Sequence, residues 1–263
     1  MGPYKKPFVA SHIAKLRTYI VNVYFIQIPD QRAWVLVDAG TAFSASLIRR
    51  MAERLFGKHC RPKAIILTHG HFDHVGALAD LLSDWDVPVY AHRFEMPYLT
   101  GKANYLPPDP TVGGGLIAWL SPLYPHEGIN LGEKVKPLSE DGAIPFLPGW
   151  RAIHTPGHTR GHISLFREED RVLLTGDAFI TVKQESLWAV LLQQKGIHGP
   201  PMYFTPDWEQ ARQSVIQLYH LQPTIALPGH GMPMYGEQLQ NSLEQLVKRF
   251  DELAIPDHGR YGS

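Results

Sequence analysis

The chain has 263 residues, 44% of them apolar and 19% charged, the balance of a globular protein large enough to bury a substantial core. Lysine plus arginine and aspartate plus glutamate both number 25, so no basic excess offers itself to nucleic acid or to an anionic membrane surface. The single cysteine, Cys60, rules out an internal disulfide and reads as a small packed residue rather than a nucleophile. The start, MGPYKKP, carries positive charge with no apolar run behind it, and no stretch reaches the roughly 20 apolar residues of a membrane span. The expectation is a soluble, cytoplasmic protein.

In chain order, Val21–Ile28 (VNVYFIQI) and Ala33–Val37 (AWVLV) predict two strands, joined by a turn over 29–32 (PDQR). Residues 44–56 then read as an amphipathic helix closed by Gly57, 63–67 (KAIIL) as a strand, 74–85 as a helix and 87–91 (VPVYA) as a strand. The segment 93–131 is rich in proline and aromatic residues and holds Gly113-Gly114-Gly115, which predicts an irregular functional insertion. Strands return at Trp150–His154, 162–166 and 171–175. A second insertion covers 181–205, and a helix over 207–221, a strand over 224–227 and a helix over 236–253 complete the chain. Two successive series of strands, each followed by helices, predict an α/β sandwich in a single domain spanning 1–263, with the two insertions as a lid.

Directly after the 63–67 strand comes Thr68-His69-Gly70-His71-Phe72-Asp73-His74, with three histidines and an aspartate within six residues. On extended backbone His69 and His71 share a face, while Asp73 and His74 open the next helix. Imidazole and carboxylate are the donors that zinc, iron or manganese accept, so the cluster reads as a metal site in preference to a chance grouping of histidines. Three further candidates end predicted strands, each directly after a glycine that lets the backbone turn: His158 in HTPGH, Asp177 in LTGD and His230 in LPGHG. Each is weak alone.

Together, the order His-x-His-x-Asp-His, Gly-His, Gly-Asp, Gly-His resembles the metallo-β-lactamase superfamily, and within it hydrolase branches such as glyoxalase II and the acyl-homoserine lactonases. The resemblance runs from Val21 to about Gly231. It implies the αββα four-layer sandwich, and a two-metal centre in which His69, His71 and His158 hold one ion, Asp73, His74 and His230 hold the second, and Asp177 bridges both. Zinc is the first expectation, with iron or manganese as alternatives. Such a centre can lower the pKa of a bridging water toward neutrality and polarise a carbonyl, with Asp73 as the catalytic group that takes up and returns the proton.

Around this set the residues speak less specifically. Asp38, ending the second strand, reads as a structural turn residue first and as support for the ligands second. His162 is either a hydrogen-bonding partner of a ligand or an ordinary strand residue. Phe72, Phe179 and Tyr203 are expected to contact substrate, with Tyr98, Tyr105, Trp188 and Phe204 as further aromatic wall.

Departures from each branch narrow the choice. The commonest zinc β-lactamases place a cysteine where this chain has Asp177 and lack the histidine at His74. Glyoxalase II adds a glutathione-binding helical domain, and only about thirty residues follow His230 here. The nuclease branch calls for a basic surface. The expected substrate is a small molecule carrying a lactone, ester or thioester. Two rivals remain: a mononuclear-iron persulfide dioxygenase, whose ligands are two histidines and an aspartate, and a non-catalytic module, in which ligands are usually lost.

Overall fold

A computed structural model describes residues 7–29, 31–112, 116–193 and 196–261. Residues 1–6, Asp30 of the expected turn and Gly113-Gly114-Gly115 of the first insertion lie outside them. The first sheet holds β1 (Phe8–Ala10), β2 (Ile13–Thr18), β3 (Val21–Ile28), β4 (Ala33–Val37), β5 (Ile65–Ile66), β6 (Val89–Ala91) and β7 (Val135–Pro137), side by side in that order. Pairing is antiparallel from β1 to β4 and parallel from β4 to β7, where longer connections carry the chain back between strands. The second sheet holds β8 (Trp150–His154), β9 (Ile163–Arg167), β10 (Val172–Gly176), β11 (Ile225–Pro228) and β12 (Met234–Tyr235), with β10 and β11 parallel and the other pairs antiparallel.

The unbroken apolar runs of β3 and β4 follow from this layering, because both faces of each strand are covered. Tyr24, Ile26, Val35 and Val37 point to the inter-sheet core, where Ile163, Leu165, Val172 and Leu174 of the second sheet meet them. Their alternating neighbours Phe25, Trp34 and Leu36 face outward onto the helices Ala45–Phe56 and Leu78–Asp84. On the far side Phe166, Leu173 and Ala226 pack against the helices Trp208–His220 and Gly236–Lys248. Helix, sheet, sheet, helix is the expected four-layer order.

Several local expectations need correction. The helix expected over 74–85 is two pieces, Phe72–Val75 and Leu78–Asp84. The His74 carbonyl accepts from Ala39 N–H at 2.7 Å and Gly76 N–H donates to the Gly40 carbonyl at 2.8 Å, so these backbone groups serve the β4 loop instead of a continuous helix. The last helix likewise stops at Lys248, and a separate turn, Phe250–Leu253, follows. The two long segments are less irregular than expected, containing the short helices Met96–Leu99, Leu116–Leu120 and Leu187–Leu192. They also pack on one another, Val112, Ile117 and Ala118 of the first meeting Val182, Ala189 and Val190 of the second. No helix among the described residues is long and apolar enough to cross a membrane.

Candidate metal centre

The parallel pairs β4–β5 and β10–β11 bring four strand C-termini to one edge of the sandwich. The loops leaving them carry Asp38, the 69–74 run, Asp177 and His230, and the loop between β8 and β9 adds His158. All seven expected ligands are buried there. Three groups have their donor atoms within 4.8 Å of one another: His69, His71 and His158; Asp73, His74 and His230; and His69, His74 and Asp177. Asp177 Oδ2 lies 3.1 Å from His230 Nε2, 3.5 Å from His74 Nε2 and 3.6 Å from His158 Nε2, so it touches members of both expected triads.

Each imidazole is aimed by what its other nitrogen does. His230 Nδ1 lies 2.9 Å from the Ile20 carbonyl, which can only accept, so Nδ1 carries a proton and Nε2 is the nitrogen turned inward. His74 Nδ1 donates in the same way to Asp38 Oδ2 at 2.8 Å. The Thr68 hydroxyl gives its proton to Asp38 and can then accept from His69 Nδ1 at 3.1 Å. Thr205 donates to the Pro201 carbonyl and accepts from His158 Nδ1, also at 3.1 Å. His71 is the exception, since its Nδ1 faces the centre, 3.0 Å from His158 Nε2. Its ring is clamped between Tyr105 and Phe204, with centroids 4.5 and 4.6 Å away.

The donor set fits a divalent cation. His69 Nε2, His74 Nε2 and Asp177 Oδ1 are buried and have no hydrogen-bond partner among the described residues. Buried polar atoms are costly to leave so, and a cation would satisfy all three. The electrostatics agree: burial drives His69 and His158 well below the usual imidazole range and His71 to about 4, the neutral form a metal requires. At His74 and His230 burial is outweighed by the carboxylates, Asp177 foremost, which hold His74 well above its usual value and His230 at about 10. Protons on these two histidines offset the buried negative charge that a metal would otherwise balance. Asp177 itself is held well below the carboxylate range, the pull of His230 and His74 exceeding the burial penalty.

Asp38 does more than end a strand. It accepts from Thr68 N–H at 2.8 Å, from the Thr68 hydroxyl and from His74 Nδ1, so it fixes an expected ligand directly. His162 acts on a ligand through its backbone: Nε2 accepts from Asp177 N–H at 2.8 Å while Nδ1 is engaged by Thr155 at 2.8 Å, and burial lowers its pKa to about 3. Sequence reasoning missed Asn22 and Tyr24, whose side chains donate to the carbonyls of Pro228 and Gly231 and so bind the His230 loop to the first sheet.

The glycines before the ligands divide into two kinds. Gly157 and Gly176 have φ of +128° and +51°, the left-handed region expected for a sharp turn. Gly229 has no positive φ; what it needs is room, because a Cβ there would overlap Asp177 Oδ1 and come within 3.0 Å of His74 Cε1. Gly229→Ala is therefore expected to fold normally but to lose about 10–100-fold in metal affinity, the range found when ligand support is disturbed. Chelator competition measures it, and unchanged affinity would show that the carboxylate can move aside.

Of the expected substrate contacts, Tyr203 and Phe72 lie by the centre, each packed near Tyr124 with centroids 5.9 and 5.4 Å away. Phe179 does not. It is fully buried in the core beneath the Trp208–His220 helix, and its neighbour Asp177 faces the opposite way, toward the ligands. Trp188 is 70% exposed on the outer side of its helix and forms no wall. Tyr98, Tyr105 and Phe204 do, lining with Arg160 and Tyr261 a cavity of about 80 Å³ against His71 and His158.

Residues 16–230 match the family model described as the metallo-beta-lactamase superfamily. The probable metallo-hydrolase YflN of Bacillus subtilis is 50% identical over 245 residues, 93% of each chain. Among solved structures, a metallo-beta-lactamase family protein of Thermus thermophilus, TTHA1429, aligns over 93% of this chain and 81% of its own with a TM-score of 0.62 at 20% identity. TTHA1623, solved in a di-iron-bound form, aligns over 85% and 93% with a TM-score of 0.55 at 26% identity. With the matched span covering every expected ligand from His69 to His230 and the same layered fold beneath them, this chain belongs to the metallo-beta-lactamase superfamily.

Proposed function

We propose that the protein is a hydrolase that holds two divalent metal ions, zinc by preference, and cleaves the ester-like bond of a small molecule, a lactone, ester or thioester. The observation that carries this is the convergence of seven buried donor side chains, four of whose imidazoles have their other nitrogen hydrogen-bonded outward. The names of two relatives, a probable metallo-hydrolase and a di-iron-bound protein, support it.

His69, His71 and His158 would hold one ion, Asp73, His74 and His230 the other, and Asp177 would reach both. The ions supply Lewis acidity and hydroxide at neutral pH. The chain's own residues do the rest. Asp73 is 7% exposed, the most open of the seven, with Oδ2 3.3 Å from His230 Nε2, and it is the group placed to take a proton from attacking water and return it to the departing oxygen or sulfur. Tyr98, Tyr105 and Phe204 form an apolar wall that keeps bulk water from the acyl group.

A cavity of about 80 Å³ is small beside the roughly 300–1,000 Å³ of ordinary ligand sites. We therefore assign the packed segments 93–131 and 181–205 the role of a lid that parts to admit substrate. Elemental mass spectrometry on protein purified without chelator should find close to two metal equivalents. A panel of lactones, esters and thioesters should show turnover that chelation abolishes and zinc restores. One equivalent of iron with oxygen uptake, or two metals with no turnover across the panel, would overturn the reading.

A further inference from the structure

Glu95 is fully buried, follows β6 in a short turn, Arg93–Glu95, and belongs to none of the ligand motifs. Its carboxylate accepts four hydrogen bonds. Oε2 takes Gly70 N–H at 3.0 Å and the Tyr105 hydroxyl, and Oε1 takes the Thr159 hydroxyl at 2.7 Å and Gly161 N–H at 2.9 Å. The four donors match the acceptor sites of one carboxylate. Gly70 lies between His69 and His71, and Thr159 and Gly161 lie one and three positions after His158. One side chain thus ties the loop after β5 to the loop after β8, the two loops that carry the three-histidine half of the centre. The approach is close on both sides: a Cβ on Gly70 would overlap the Tyr105 hydroxyl, and one on Gly161 would lie 2.6 Å from Glu95 N. Tyr105, held by Glu95, also packs on the His71 ring.

In the other half His74 is held by Asp38, which reaches His69 only through Thr68, and His230 by Ile20; Glu95 contacts none of these groups. We infer that Glu95 is a positioning residue that sets the spacing of His69, His71 and His158, acting through the backbone of Gly70 and Gly161, and that it governs metal affinity in this half alone. This rests on the two-metal reading above.

Glu95→Gln keeps size and length, but its amide nitrogen cannot accept. One pair of donors then faces another donor, and a backbone N–H, unlike a hydroxyl, cannot rotate away. Zinc titrations in competition with a chromophoric chelator should show one of the two equivalents weakened by roughly 10–100-fold and the other unchanged. In a His230→Ala background E95Q should weaken the remaining equivalent by the same factor, and in a His158→Ala background it should add nothing. A purely structural residue would instead lower thermal stability and weaken both equivalents together. Should E95Q not fold, Thr159→Val removes one donor from the same clasp and should weaken the same equivalent by several-fold. Equal weakening of both equivalents, a further loss in the His158→Ala background, or unchanged affinity in E95Q or T159V overturns the assignment and leaves the two-metal reading standing. A wild-type protein that takes up no zinc overturns both.

Discussion

Asp177→Ala is expected to bring metal content well below two equivalents and to lower hydrolysis by more than about a thousandfold, since generation of hydroxide at neutral pH is lost with the ions. Among the described residues no other carboxylate contacts three of the histidines; Asp177 Oδ2 lies within 3.6 Å of His230, His74 and His158, and its Oδ1 has no hydrogen-bond partner there. Alanine removes both oxygens yet retains the backbone N–H that His162 accepts, so the loop should keep its course. The substitution also removes the charge that holds His74 and His230 in their protonated forms without metal, so the variant is expected to fold. Far-UV circular dichroism beside elemental analysis separates loss of metal from loss of fold. A variant with two metals and full activity would exclude Asp177 as a shared ligand.

The second large effect concerns stability alone. Trp34, 1% exposed on β4, stacks on Phe56 with centroids 4.8 Å apart and meets Trp85 edge-on at 5.5 Å and Phe25 at 5.6 Å. Trp34→Ala would open a large cavity between the first sheet and its helices, and comparable truncations cost about 3–5 kcal/mol. For a chain of this size the melting temperature should fall by on the order of 10 °C, and the denaturant midpoint should drop with the slope unchanged. Trp34→Phe should be much milder, because it keeps a ring in the stack and removes an indole N–H that has no partner. Both variants should retain the metal content of the wild type below their transitions, because Trp34 faces the helices and the ligands lie at the strand ends. Loss of metal in Trp34→Ala under native conditions would show that the two layers are coupled more tightly than their packing implies.

The sequence by itself determined the layering and picked out the seven donors that the fold brings together. Apolar runs as continuous as VNVYFIQI and AWVLV are stable only with both faces covered, which requires a strand between two layers. A histidine pair two residues apart at a strand's end, followed by three donors that each trail a glycine, is a pattern local enough to read along the chain. Periodicity reports which way a side chain leaves its own backbone, and the αββα order follows from little more. The tertiary structure decided what depends on distant partners. Glu95 clasps residues 25 and 66 positions away, and Asn22 reaches a carbonyl 206 positions along. No local pattern marks either. Phe179 reads like a pocket residue two positions from Asp177, but the chain turns after β10 ends at Gly176, and its ring packs into the core. Gly229 looks like a turn glycine, yet it has no positive φ, and it is the Asp177 carboxylate and the His74 ring packed against it that leave no room for a side chain. In each case the deciding contact exists only once segments distant in the chain are packed together, because side-chain chemistry is set by neighbours in space.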